Sequence, residues 1–186
     1  LDERMTLSYE PDPRTWVRIP TEPEDGWAAG AARTLAEAQN VADRDQLDWL
    51  QVVLNEAASA DRGDEDARWL CAADVRRGGI VVDLDIVDLG DDVPDEVDVD
   101  DAAEGQTEEF SAGAVHGKRI IWVTPADAGA EPAADADAEA LQGQVLYVGR
   151  IEGSGCLVTM RSLPHRLELI VDSVNDFERM LATMRV

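Results

Sequence analysis

Between Gln144 and Val186 the side-chain period changes from two to 3.6, and no other stretch constrains the fold as tightly. Gln144 to Glu152 and Cys156 to Ser162 are rich in β-branched and aromatic residues, and Gly153-Ser154-Gly155 separates them. A short glycine-rich link between two such runs predicts a β-hairpin. Strand alternation puts Cys156, Val158 and Met160 on one face and Leu157, Thr159 and Arg161 on the other. Leu167, Ile170, Val174, Phe177, Leu181 and Met184 then follow at spacings of 3, 4, 3, 4 and 3, the pattern of one buried helix stripe. Val171 and Met180 widen that stripe. Leu167 to Val171 also reads as a short strand, with Ser173 capping a shorter helix. On either reading a helix ends the sequence and must bury its stripe on the nearest sheet.

Upstream, Met5 to Glu10 and Thr15 to Ile19 are short strand candidates separated by the turn residues Pro11-Asp12-Pro13. Pro20, Pro23 and Gly26 interrupt the chain before a helical region, in which Trp27, Ala31, Leu35 and Ala38 fit one face. A second helix begins after Asp43, its predicted N-cap with Gln46 three residues on. Its stripe is Leu47, Leu50, Val53, Leu54 and Ala57, with Trp49 beside it and Gly63 as its stop. Arg68 to Val75 and Ile80 to Leu89 predict a second hairpin joined at Gly78-Gly79. Within it Ile80, Val82, Leu84 and Ile86 point inward, and Asp83 and Asp85 outward. A third strand pair, Thr107 to Val115 and Lys118 to Thr124, is expected to turn at His116-Gly117. Two stretches poor in apolar residues, 91–106 and 126–140, read as mobile acidic loops. The order of elements predicts one α+β domain over 1–186. Its expected core is an antiparallel sheet of about six or seven strands, flanked by helices, with the C-terminal helix packed on it.

Forty acidic residues stand against sixteen basic ones, a formal charge of −24, and Lys118 is the one lysine. That charge disfavours direct binding to nucleic acid or to an anionic membrane and favours a basic protein surface as partner. No apolar run approaches the roughly 20 residues of a membrane span. With no basic-then-apolar leader in view, and with Met5 read as the native start after Leu1 to Arg4, a cytoplasmic location is expected.

Catalytic chemistry has few candidates. His116 falls in a predicted turn and His165 follows Pro164 at a helix start, and both read as surface residues. Gly153-Ser154-Gly155 lacks the spacing of a nucleophile elbow. Cys71 and Cys156 lie in apolar runs without C-x-x-C spacing, so they read as reduced core residues; a redox pair facing across a sheet is the alternative. Asp83, Asp85, Asp88, Asp91 and Asp92, with Asp95, Asp98, Asp100 and Asp101, could offer oxygen ligands to Ca²⁺ or Mg²⁺. The spacing of a calcium-binding loop is missing, however, and the acids read as a solvated run. No cofactor, metal or catalytic residue is assigned.

The opening Tyr9…Trp16…Ile19-Pro20…Trp27, the meandering strands and the ending Phe177 to Val186 resemble PsbP-like proteins, including the actinobacterial LpqN-type relatives. The resemblance spans much of the chain. It implies a binding or assembly factor and carries no shared catalytic residues. The long acidic loop and the lack of a lipobox depart from the lipoprotein members. Together these readings point to a non-enzymatic protein-binding or assembly module. Asp95, Asp98, Asp100 and Asp101 are its candidate partner-binding acids. Two alternatives are a hydrolase working through clustered Asp residues and a DNA mimic that occupies a basic DNA-binding protein.

Overall fold

The computed structural model describes residues 8–94, 105–124 and 141–185. Among the described residues, eight strands and three α-helices follow in the order β1 (Trp16–Ile19), α1 (Trp27–Ala38), α2 (Arg44–Ser59), β2 (Ala67–Cys71), β3 (Ile80–Asp88), β4 (Gly105–Ala112), β5 (Val115–Thr124), β6 (Gln142–Ile151), β7 (Cys156–Ser162), β8 (His165–Arg166) and α3 (Leu167–Leu181). The strands form one sheet in the order β1-β2-β3-β7-β6-β5-β4, with β8 paired to the start of β6. Every neighbouring pair is antiparallel. The fold is α+β, as the order of periodicities predicts.

Each face of the sheet carries its own core. On one face α3 buries Ile170, Phe177, Met180 and Leu181 against Val82, Leu84, Val145, Tyr147, Val158 and Met160. Trp16, Phe177, Tyr147 and Phe110 form a continuous run of rings there, with successive centroids 5.9, 6.3 and 5.0 Å apart. Tilted and edge-on packing of this kind suits the aromatic quadrupole. The helix reading of Leu167 to Val171 holds, and Ser173 lies buried inside α3 instead of capping it. On the other face α1 and α2 cover Ile19, Leu70, Ala72 and Val75.

Several local expectations are corrected. The buried residues of α1 are Ala28, Ala32, Leu35 and Ala36, so its face is turned from the one built on Trp27, Ala31 and Ala38. The small alanines let α1 approach α2 closely, and Trp27 is left at the flank. Asp43 does cap α2, accepting from Asp45 N at 2.9 Å, but the helix stops at Ser59, short of Gly63. The link between β2 and β3 spans residues 72–79 and is longer than a tight Gly78-Gly79 turn. The β4–β5 turn is Gly113-Ala114, and His116-Gly117 lie within β5. Gly113 takes φ 59°, and a Cβ there would lie 2.8 Å from the Ala182 carbonyl oxygen, so glycine is required where the hairpin meets the end of α3. Gly117 has a different role: a side chain there would run into the backbone of Val148 on β6.

The span 91–106 is not loop throughout. Gly90–Asp92 forms a 3₁₀ turn, with Asp88 Oδ1 accepting from Gly90 N at 3.0 Å, and Gly105 and Gln106 open β4. Asp95, Asp98, Asp100 and Asp101, and the span 126–140, lie outside the described residues.

Candidate functional site

A cleft opens where β1 ends. It has a volume of about 690 Å³ and lies between the segment from Ile19 to Trp27, the start of β2, and Arg62. Its formation follows from local sequence. Pro20 and Pro23 keep the segment out of the sheet, and Gly26, at φ 80°, makes the left-handed step into α1. Because α1 buries its alanine face, the Trp27 indole is left half-buried at the wall of the cleft. Glu22, Glu24, Asp25 and Asp66 add four carboxylates to the lining, against the guanidinium groups of Arg18 and Arg62.

Arg62 is committed to the floor. One of its terminal nitrogens donates to the carbonyl oxygens of Ile19 and Pro20, both at 2.9 Å, and the other lies 3.8 Å from Glu65. Asp66 is fixed as well, since its Oδ2 accepts from Ile86 N at 2.7 Å. Four carboxylates, against two guanidinium groups, around a concave wall that includes the half-buried Trp27 ring favour a cation, either an alkylammonium or a guanidinium group.

Beneath the cleft is a buried ionic network that sequence reasoning missed. The Arg68 side chain is 3% exposed and faces α2. Its Nε and one terminal nitrogen grip Asp83 at 2.7 and 3.1 Å. The remaining donors reach the carbonyls of Ala57, Ala60 and Asp61 at 3.2 to 3.3 Å, so all five N–H groups are used. Arg68 thereby serves the carbonyls left open at the end of α2. Glu65, 4% exposed, completes the cluster at 3.4 Å from Arg68.

Asp83 is therefore not on a wet face. It is held under α2 by Arg68, opposite it in the β2–β3 register. Asp85, two residues on, accepts from Asp66 N at 3.1 Å. Burial pushes its carboxyl above the usual carboxylate range, and the nearby charges of Asp66, Glu65 and Asp83 add to the effect.

Other sequence candidates are kept apart. Cys71 pairs with Ile80 and Cys156 with Asp88, at opposite ends of β3 and roughly 26 Å apart at strand rise, so they cannot form a redox pair. Both thiols are free and buried, and burial pushes that of Cys71 up. His116 and His165 pair with Arg150 and Gly143, about 23 Å apart along β6. His116 touches Ser111 Oγ at 2.9 Å and Glu152 at 3.6 Å. Burial lowers the pKa of His165, with Arg166 adding to it. Among the described residues no group of three or more His, Cys, Asp or Glu is arranged to hold a metal ion, and no helix is long and apolar enough to cross a membrane. Comparison with protein-family models, with curated proteins and with solved structures finds no match.

Proposed function

We propose that this chain is a non-enzymatic, cytoplasmic binding or assembly module that takes a basic protein surface as its partner. The observation that carries this reading is the acidic cleft beside Trp27, whose aromatic wall and four carboxylates suit a lysine or arginine side chain. The cleft stands on a rigid base, because Arg62 and Arg68 tie its floor to β1, β2 and the end of α2. The total charge of −24 supplies long-range attraction for such a partner, and Asp95, Asp98, Asp100 and Asp101 contribute to that field. The resemblance to PsbP-like binding and assembly factors agrees with this, since Ile19, Pro20 and Trp27, which carry part of it, line the cleft.

The test is affinity capture from native lysate at low and high salt, comparing the wild type with the combined variant Glu24→Gln, Asp25→Asn, Trp27→Ala. A basic protein retained by the wild type at low salt should bind this variant about tenfold or more weakly. Because Trp27 packs on the α1–α2 core, Glu24→Gln with Asp25→Asn alone is the folding control, and its melting temperature should stay near the wild-type value. Retention of the same partner with unchanged affinity would remove the cleft from the proposal.

A further inference from the structure

The link between β2 and β3 is held at several points. Val75 N donates to Gln39 Oε1 at 2.9 Å, and the Gln39 amide donates to the Ala72 carbonyl at 2.7 Å. Asp74 Oδ1 accepts from Arg76 N at 3.0 Å, and the Asp74 carbonyl accepts from Arg77 N at 2.9 Å. Gly78, at φ 126°, closes the turn in a region that favours glycine. A Cβ there would lie 3.6 Å from the Trp49 ring, so the indole of α2 stands against bare backbone. β8 joins the turn through Arg166, one of whose terminal nitrogens donates to the Arg77 carbonyl at 3.1 Å.

These three segments line a second cleft, of about 370 Å³, near the lower end of the range for small-ligand sites. Its charged lining is Arg76, Arg77 and Arg166 against one carboxylate, Asp45, and Trp49 lies beside them 41% exposed. A lining of this sign runs against the −24 of the chain as a whole. The guanidinium donors are only partly used. Arg77 pairs with Asp172 of α3, whereas Arg76 lies 3.7 Å from Asp74, beyond hydrogen-bond distance. Arg166 forms no ion pair among the described residues, and its bond to the Arg77 carbonyl takes one of five donors.

Guanidinium forks suit phosphate oxygens, and the face of an indole suits a planar ring. A phosphate monoester carries about −1.5 to −2 at neutral pH, which complements the two guanidinium groups with donors to spare. We infer that this cleft binds a small phosphate monoester of a planar ring, the chemistry of a nucleoside monophosphate. Arg76 and Arg166 hold the phosphate and Trp49 carries the ring. The inference is independent of the Trp27 cleft, with which this one shares no lining residue and from which it differs in the sign of its charge.

The test titrates the full chain by amide NMR, at physiological salt, with adenosine monophosphate, adenosine and inorganic phosphate in turn. Adenosine monophosphate should shift the Trp49 indole N–H and the amides of Gly78 and Arg166. It should bind about tenfold or more tightly than adenosine or phosphate, because it alone engages both the ring and the guanidinium groups. Arg76→Gln combined with Arg166→Gln should weaken it about tenfold or more. Both arginines are exposed, so the melting temperature of that variant should stay near the wild-type value. Trp49→Ala should weaken adenosine monophosphate about tenfold and leave the affinity for inorganic phosphate unchanged. Phosphate bound as tightly as adenosine monophosphate would reduce the cleft to an unspecific anion patch and overturn the inference. Equal binding of adenosine, no shift at these three residues, or an affinity unchanged in the arginine variant would overturn it as well. None of these results bears on the Trp27 cleft, whose variants lie elsewhere.

Discussion

A buried guanidinium is tolerated only where each donor finds an acceptor, and Arg68 meets that condition through Asp83 and three carbonyls near the end of α2. Its removal would leave Asp83 and Glu65 without their main counter-charge and reopen the helix end. Arg68→Ala should therefore cost about 3–5 kcal/mol in urea unfolding at neutral pH, the range found when one partner of a buried pair is deleted. Arg68→Lys should recover only part of this, because a single ammonium cannot grip a carboxylate with two parallel bonds. A loss below about 1 kcal/mol for Arg68→Ala would show that the network adds little to stability. The sequence places Arg68 in a strand. It cannot show the burial, which depends on the β2–β3 register and on where α2 ends, both set by tertiary packing. The same dependence explains why Asp83 and Asp85 read as outward: they do leave the α3 face, but on the other face Arg68 holds Asp83 in a largely buried pair.

At the scale of elements, α3 anchors the core on its face of the sheet. Part of its stripe is legible in spacing alone: Ile170, Phe177, Met180 and Leu181 enter the core, whereas Leu167 and Val174 are half-buried and Val171 is exposed, and Phe177 sits within the aromatic run with no exposure. Phe177→Ala should cost about 3–5 kcal/mol through lost transfer energy and the cavity left behind. Thermal melting checks this, and an unchanged melting temperature would contradict the packing of α3. The β6–β7 hairpin is equally readable, since its period-two runs flank Gly153-Ser154-Gly155. What escaped was turn position and helix rotation. His116-Gly117 looks like a turn until Val148 is seen to press against Gly117, and the Trp27 face looks apolar until the alanines of α1 are seen against α2. In both cases a contact distant in sequence decides between two locally plausible choices. The cleft was illegible for the same reason, because Trp27, Arg62 and Asp66 come from three separate segments.

For the whole molecule the dominant quantity is charge. Exposed carboxylates in such excess raise the local concentration of a basic partner without any shared contact, and salt screens the effect over about 8 Å at physiological strength. In the proposed reading the cleft supplies the short-range complement, and the two contributions differ kinetically. Steering changes the rate of association, whereas the contacts at Trp27 change the rate of dissociation. The central claim is thus tested most directly by the association rate of the captured basic partner across a series of salt concentrations. The wild type is compared with Asp95→Asn, Asp98→Asn, Asp100→Asn and Asp101→Asn combined. The account predicts a rate that falls steeply as salt rises, is lower at every low-salt point for the combined variant, and accompanies a melting temperature close to that of the wild type. An association rate indifferent both to salt and to these four substitutions would contradict it.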